Sequence, residues 1–143
     1  MKYQTWNVDR MPAPGSLKRR PIDEKELASL LEDKFRLRPL ETRAYLRLLE
    51  GHDMTVHELS RELGIPADET ASLMEGMISS GLVIRATGPE ARFTPLHPRM
   101  TMTNIFKIYE KELVSTLRDR RATVDRVVNL LTPIFEERKI RAD

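Results

Sequence analysis

From Phe106 to Ile134 the apolar residues of this chain recur in alternating steps of four and three. Phe106, Leu113, Leu117, Val124, Val127, Leu131 and Ile134 hold the register, and Glu110 and Arg120 fill its two gaps. A heptad stripe of this kind keeps one narrow face turned toward a partner helix. A helix over about residues 101–132 would be about 48 Å long at roughly 1.5 Å per residue. A domain of 143 residues cannot bury such a rod within itself. The spacing therefore predicts that residues 100–143 form a long helix that pairs with a second copy of the chain, the seven apolar residues making a homodimer interface. It leaves parallel and antiparallel pairing open. Arg118, Arg120 and Arg121 beside the stripe are expected to pair with Asp119, Asp125 or Glu110 of the other copy. Pro133 should kink or end the helix, because it removes a backbone donor and crowds the preceding turn.

Residues 1–20 show no helical period: Pro12, Pro14, Gly15 and Ser16 precede the basic run Lys18, Arg19 and Arg20, which reads as an irregular arm. From Ile22 the pattern becomes helical. Leu27, Leu30, Leu31 and Phe35 share a face, and Asp23 and Glu24 sit in the first turn, where the helix dipole favours negative charge. Pro39 opens a second helix with the stripe Leu40, Ala44, Tyr45, Leu48 and Leu49, closed by Gly51. Thr55 and Glu58 have the spacing of a capping box, starting a short helix that turns Leu59 and Leu63 inward and stops at Gly64. Pro66 restarts the chain as another helix, with Thr70, Leu73, Met74 and Met77 on its inner face and Gly81 at its end. Two short helices about a glycine corner, with small Ser60 near the crossing, are a helix-turn-helix.

The run "LVIRATGPEARFTPL" then places two β-rich segments around a Gly-Pro turn, a hairpin whose return strand Pro95 and Pro98 limit. Helices followed directly by a hairpin give the order of a winged helix. The expected fold is mainly α with a small β-hairpin: a winged helix-turn-helix over residues 21–99, then the long dimerisation helix.

Charge decides less than its placement. The formal net charge is +2 and the isoelectric point near 9.0, a weak basic lean that does not by itself establish a nucleic-acid partner. Cysteine is absent, which excludes a disulfide framework and thiolate chemistry. No apolar leader and no apolar run long enough to cross a bilayer occur, so a cytoplasmic protein with no membrane partner is expected. His52, His57 and His97 lack metal-ligand spacing, and there is no phosphate loop or nucleophile motif. Neither a metal, a cofactor nor catalysis is expected.

The second helix of the helix-turn-helix ordinarily enters the major groove, yet Pro66 to Ser80 contains no Lys or Arg while Asp68, Glu69 and Glu75 are acidic. The first-turn carboxylates can serve the helix dipole, at roughly 0.3–1 kcal/mol each. Alternatively one accepts a hydrogen bond from cytosine N4. In both cases they repel phosphates, so any grip on double-stranded DNA must come from Arg85 and Arg92 on the hairpin, Arg99 after it and the arm Lys18, Arg19 and Arg20, with Glu69, Thr70 and Ser72 tuning selectivity. A second reading makes the acidic helix a docking face for a basic protein partner, without specific DNA binding.

The run "LRPLETRAYLRLLEGHDMTVHELSRELGIPADETASLMEGMISSGLVIR", with "RFTPLHPR" and the long helix after it, resembles the DNA-binding part of archaeal TrmB-type transcriptional regulators. The likeness rests on Leu40, Glu41 and Tyr45 at the helix opened by Pro39, the Gly64-Ile65-Pro66 corner and the Gly81-Leu82-Val83 exit, within residues 37–130. It implies a winged helix-turn-helix that regulates transcription. Sugar sensing is not implied, since the family's C-terminal sugar-binding domain has no counterpart in residues 100–143. The basic and aromatic residues that the family places at the start of the recognition helix are replaced by Ala67, Glu69 and Ala71.

Overall fold

The computed structural model describes residues 21–142, so Lys18, Arg19 and Arg20 of the expected arm lie outside the described residues. In chain order the elements are α1 (Glu24–Phe35), α2 (Pro39–Glu50), α3 (Val56–Leu63), α4 (Ala67–Ser79), β1 (Val83–Ala86), β2 (Arg92–Pro95) and α5 (Pro98–Ala142). The architecture is the expected winged helix-turn-helix followed by a long helix.

Local chemistry sets the boundaries. The Asp23 carboxylate accepts the N–H of Glu26 at 3.1 Å and caps α1. Its exit passes through Arg36, whose φ of 61° is left-handed. The N–H groups of Arg36 and Leu37 bond back to the carbonyls of Glu32 and Leu31, a closing motif that turns Leu37 into the core. The expected capping box at α3 is present: Thr55 N–H donates to Glu58 Oε1 at 3.3 Å and Glu58 N–H donates to the Thr55 hydroxyl at 3.2 Å.

The central helix α2 differs from its expected single stripe. Leu49 is exposed, whereas Thr42, Ala44, Leu46 and Leu48 are buried. The reason is packing on several sides: α1, α3 and β2 all lie against α2, so its buried surface is broader than one helical face. Leu30 of α1 is likewise exposed, and Ala28 is buried. The inner face of α4 is as expected, with Thr70, Leu73, Met74 and Met77 all buried.

β1 and β2 pair antiparallel in the register Val83↔Pro95, Ile84↔Thr94, Arg85↔Phe93 and Ala86↔Arg92. A further bridge joins Met54, just before α3, to Phe93. Phe93 N–H donates to the Met54 carbonyl at 2.8 Å and Met54 N–H to the Phe93 carbonyl at 3.4 Å. The wing is thus stitched to the start of the helix-turn-helix.

α5 has 45 residues and runs through Pro133, giving a rod of about 68 Å at roughly 1.5 Å per residue. Pro133, expected to kink or end the helix, does not end it: the surrounding stretch is exposed, so water can satisfy the carbonyl of Asn129 that loses its donor. The root of α5 is held firmly. Thr101 and Ile105 are buried, the Tyr45 hydroxyl donates to the Leu96 carbonyl at 2.6 Å, and Asn104 Nδ2 donates to the Gly81 carbonyl at 2.8 Å. Phe35 meets Tyr109 edge-on with ring centroids 5.7 Å apart, and Arg36 reaches Glu112 at 3.9 Å. No helix among the described residues is long and apolar enough to cross a membrane.

Among the described residues two glycines take left-handed backbone, Gly64 at φ 68° and Gly81 at φ 80°. A Cβ at Gly64 would meet open space, whereas one at Gly81 would stand 2.3 Å from Asn104 Nδ2. Gly64→Ala should therefore cost about 1 kcal/mol of unfolding free energy from backbone strain alone, and Gly81→Ala about 2–3 kcal/mol, since it also drives Asn104 off its carbonyl. Urea unfolding of the two variants measures the difference.

Candidate nucleic-acid interface

The recognition-helix position is occupied by α4. Pro66 starts it, and the Thr70 hydroxyl donates to the Pro66 carbonyl at 3.0 Å. Thr70 is fully buried, which removes it from the surface contacts expected of it. A helix turns only part of its circumference outward, and position 70 falls on the core side with Leu73, Met74 and Met77. Asp68, Glu69, Ser72, Glu75 and Ser79 form the exposed face.

Arginines stand at both ends of that face. Arg38, from the start of α2, lines a shallow groove of about 340 Å³ with Asp68, Glu69 and Ser72. Its side chain is 63% exposed while its Nε holds Glu41 at 2.9 Å. At the other end Arg85 of β1 is ion-paired with Glu75 of α4, and its guanidinium lies 5.7 Å from the centroid of the Phe93 ring. On α3, which in a helix-turn-helix crosses the duplex backbone, Arg61 is exposed and makes no ion pair among the described residues. Arg38 and Arg61 were not among the sequence candidates. Arg61 had a usable signal in its place on the polar side of α3; Arg38, 30 residues before Asp68 in the chain, had none.

Arg92 lies on the return strand of the wing as expected, but its guanidinium is already engaged within the fold. Its Nη1 donates to the Asp53 carbonyl at 3.1 Å and to Glu58 Oε1 at 3.0 Å, and Glu90 approaches at 3.8 Å. The neighbouring Thr94 hydroxyl donates to Asp53 Oδ2 at 2.7 Å. Arg92 thus fastens the wing to the front of α3, and its charge is largely matched before any phosphate arrives. Arg99, expected after the wing, stands there in the first turn of α5, in a groove with Phe35 of α1, Met102, Phe106 and Glu110.

Hydrogen bonds hold the Glu58 carboxyl below its ordinary value. The Thr55 backbone N–H contributes most, burial opposes it, and the Thr55 hydroxyl, Arg92 and His52 add smaller effects. A depressed carboxyl stabilises the fold at neutral pH, and that contribution disappears as pH falls through the lowered value. Glu58→Gln should accordingly be less stable than the parent at pH 7, with the gap between their urea midpoints closing between about pH 5 and pH 3. An undiminished gap at the acid end would show that the charge is not what matters.

All seven seam residues expected on α5 are exposed: Phe106, Leu113, Leu117, Val124, Val127, Leu131 and Ile134. Val128, Leu130 and Phe135 are exposed beside them. Past Val124 the apolar face therefore spans the flanking heptad positions that carry charges in a strict two-stranded coil, and has the width typical of a helix inside a bundle.

Residues 31–99 match the family described as sugar-specific transcriptional regulator TrmB, a family of transcriptional regulators and not of enzymes. Over 110 residues the chain is 23% identical to the DNA-binding HTH-type transcriptional repressor TrmBL2 of Thermococcus kodakarensis, covering 77% of this chain and 42% of that one. Over 115 residues it is 21% identical to the putative HTH-type transcriptional regulator TrmBL2 of Pyrococcus furiosus, covering 80% and 44%. Among solved structures, TrmBL2, described as an archaeal chromatin protein with a novel mode of DNA binding, superposes with a TM-score of 0.66 at 20% identity, over 79% of this chain and 44% of that one. The chain thus spans less than half the length of these relatives, and the superposition establishes the shared fold.

Proposed function

We propose that this chain, whose residues 31–99 match the TrmB family, is a DNA-binding transcriptional regulator acting as a homodimer. The observation that carries the reading is the exposed outer face of α4 with an arginine at either end, Arg38 beside Asp68 and Arg85 beside Glu75. In this account α4 enters the major groove with Glu69 and Ser72 toward the bases, and Arg38, Arg61 and Arg85 meet phosphates. Lys18, Arg19 and Arg20 add an arm, and Arg99 acts from the root of α5. Arg92 supports the wing without gripping DNA. Two copies pair through the exposed stripe of α5, which sets their α4 helices apart by a fixed spacing.

Neutralising one phosphate contributes about 0.9 to the slope of log K against log salt concentration. Arg38→Ala and Arg85→Ala should each lower that slope by about one unit, while Arg92→Ala lowers the thermal midpoint by a few degrees and leaves the slope near that of the parent. The opposite assignment, with Arg92 alone changing the slope, would overturn this arrangement. Glu75→Gln frees Arg85 and removes a repulsive charge, so it should tighten DNA binding several-fold at low salt. Light scattering should give at least twice the chain mass of 16.6 kDa; a monomer at micromolar concentration would contradict the α5 pairing.

The acidity of α4 favours one further reading. Asp68, Glu69 and Glu75 present a face suited to a basic protein partner, and on that reading the winged unit docks protein and shows no affinity for duplex.

A further inference from the structure

Two charges interrupt the exposed apolar stripe of α5. Glu110 and Arg120 hold stripe positions among Phe106, Leu113, Leu117 and Val124; both are exposed, and neither makes an ion pair among the described residues. The alternating steps of four and three fix what each would meet in a pair of such helices. In a parallel pair every stripe residue faces its own copy, so Glu110 meets Glu110 and Arg120 meets Arg120. Two layers of like charge inside an interface oppose that pairing. In an antiparallel pair a residue that opens a four-residue step faces one that opens a three-residue step. With the two-fold axis at the level of Ser115, Glu110 faces Arg120, Phe106 faces Val124 and Leu113 faces Leu117, each contact occurring twice. The antiparallel registers one heptad away set Glu110 against Leu113 or Val127 and Arg120 against Thr103 or Leu117, and both charges then lie in uncharged layers.

Resting on the homodimer reading above, we propose that two copies pair antiparallel through α5 about an axis at Ser115, each seating its residues 124–132 in the groove at the root of the other's α5. That groove is lined by Phe35 of α1 together with Met102 and Phe106 of α5. The register explains why the apolar face broadens past Val124 to include exposed Val128 and Leu130. On one flank Val128 comes level with Met100 of the other copy, and on the other flank Leu130 comes level with Met102. A helix that meets α5 and the end of α1 together needs a wider apolar face than one that meets a single helix. The paired stretch ends with Thr132 level with Pro98, where the other helix begins, one residue before Pro133. Lys107 and Arg121 come together at the rim of this register, but both are exposed, and like charges in solvent are well screened.

The chain contains no cysteine, so a thiol introduced into the full chain reports its own position. Phe106→Cys and Val124→Cys should each form almost no disulfide alone, because each residue lies about 27 Å from its own copy at roughly 1.5 Å per residue. Mixing the two variants, with time for the copies to exchange, should give the cross-linked dimer on oxidation. Disulfide in Phe106→Cys alone and none in the mixture would assign a parallel pair, overturning this proposal while the homodimer stands. A chain that light scattering shows to be dimeric, yet that cross-links in neither case, would place the interface elsewhere and also overturn it. A monomer would contradict the homodimer reading itself. Glu110→Arg and Arg120→Glu should each raise the dimer dissociation constant about tenfold or more, and the two together should return it to within about threefold of the parent. Without that return Glu110 and Arg120 do not face one another, and the register is wrong.

Discussion

The joint between the wing and the start of α3 governs the rest of this molecule. One backbone bridge, Met54 to Phe93, and two side chains, Arg92 on Asp53 and Glu58 and Thr94 on Asp53, join segments about 40 residues apart. Phe93 is driven into the core by the same bridge, and its strand partner Arg85 is thereby set against Glu75 of α4. The position of the wing beside the recognition helix therefore follows from a contact made elsewhere. The cost is a cation: Arg92 cannot both clamp the wing and serve a phosphate at full strength.

This arrangement resolves the electrostatic difficulty posed by an acidic recognition helix. A groove-entering helix need not supply its own affinity when neutralisation of phosphates dominates nonspecific binding. It needs cations at its flanks, and Arg38 and Arg85 stand there, each partly balanced by a glutamate. Arg38 and Arg85 are themselves exposed enough for a phosphate to compete for them, since ion pairs at the surface are individually weak. On the proposed reading, specificity and grip reside on different elements, with bases faced by α4 and phosphates by its neighbours.

The sequence made the local features legible and the long-range ones not. The capping box at Thr55 and Glu58, the left-handed Gly64 and the inner face of α4 are fixed by residues within a turn of each other, and each is found where its spacing puts it. The bridge at Met54 has no such signature, because a single paired residue has no period. Arg92 looked like any wing cation; its partners Asp53 and Glu58 are 39 and 34 residues away. Leu49 and Leu46 exchanged places because the number of neighbours around α2 is a property of the assembled fold. Thr70 obeyed its helical period and thereby left the exposed set. At Pro133 propensity predicts a kink or an end, and exposure to water lets the helix continue past it. The resemblance to TrmB-type regulators, by contrast, is legible from the corner and the exit of the helix-turn-helix, and residues 31–99 match that family.

The central claim is that the winged unit holds duplex DNA despite the acidity of α4. Titration of the full chain against a random-sequence duplex at low salt, read by gel shift, tests it most directly. Retardation by concentrations of about 1–100 µM, weakening steeply as salt is raised, is the result this account predicts. A duplex that stays unshifted throughout that range would contradict it and leave the acidic face of α4 to a protein partner.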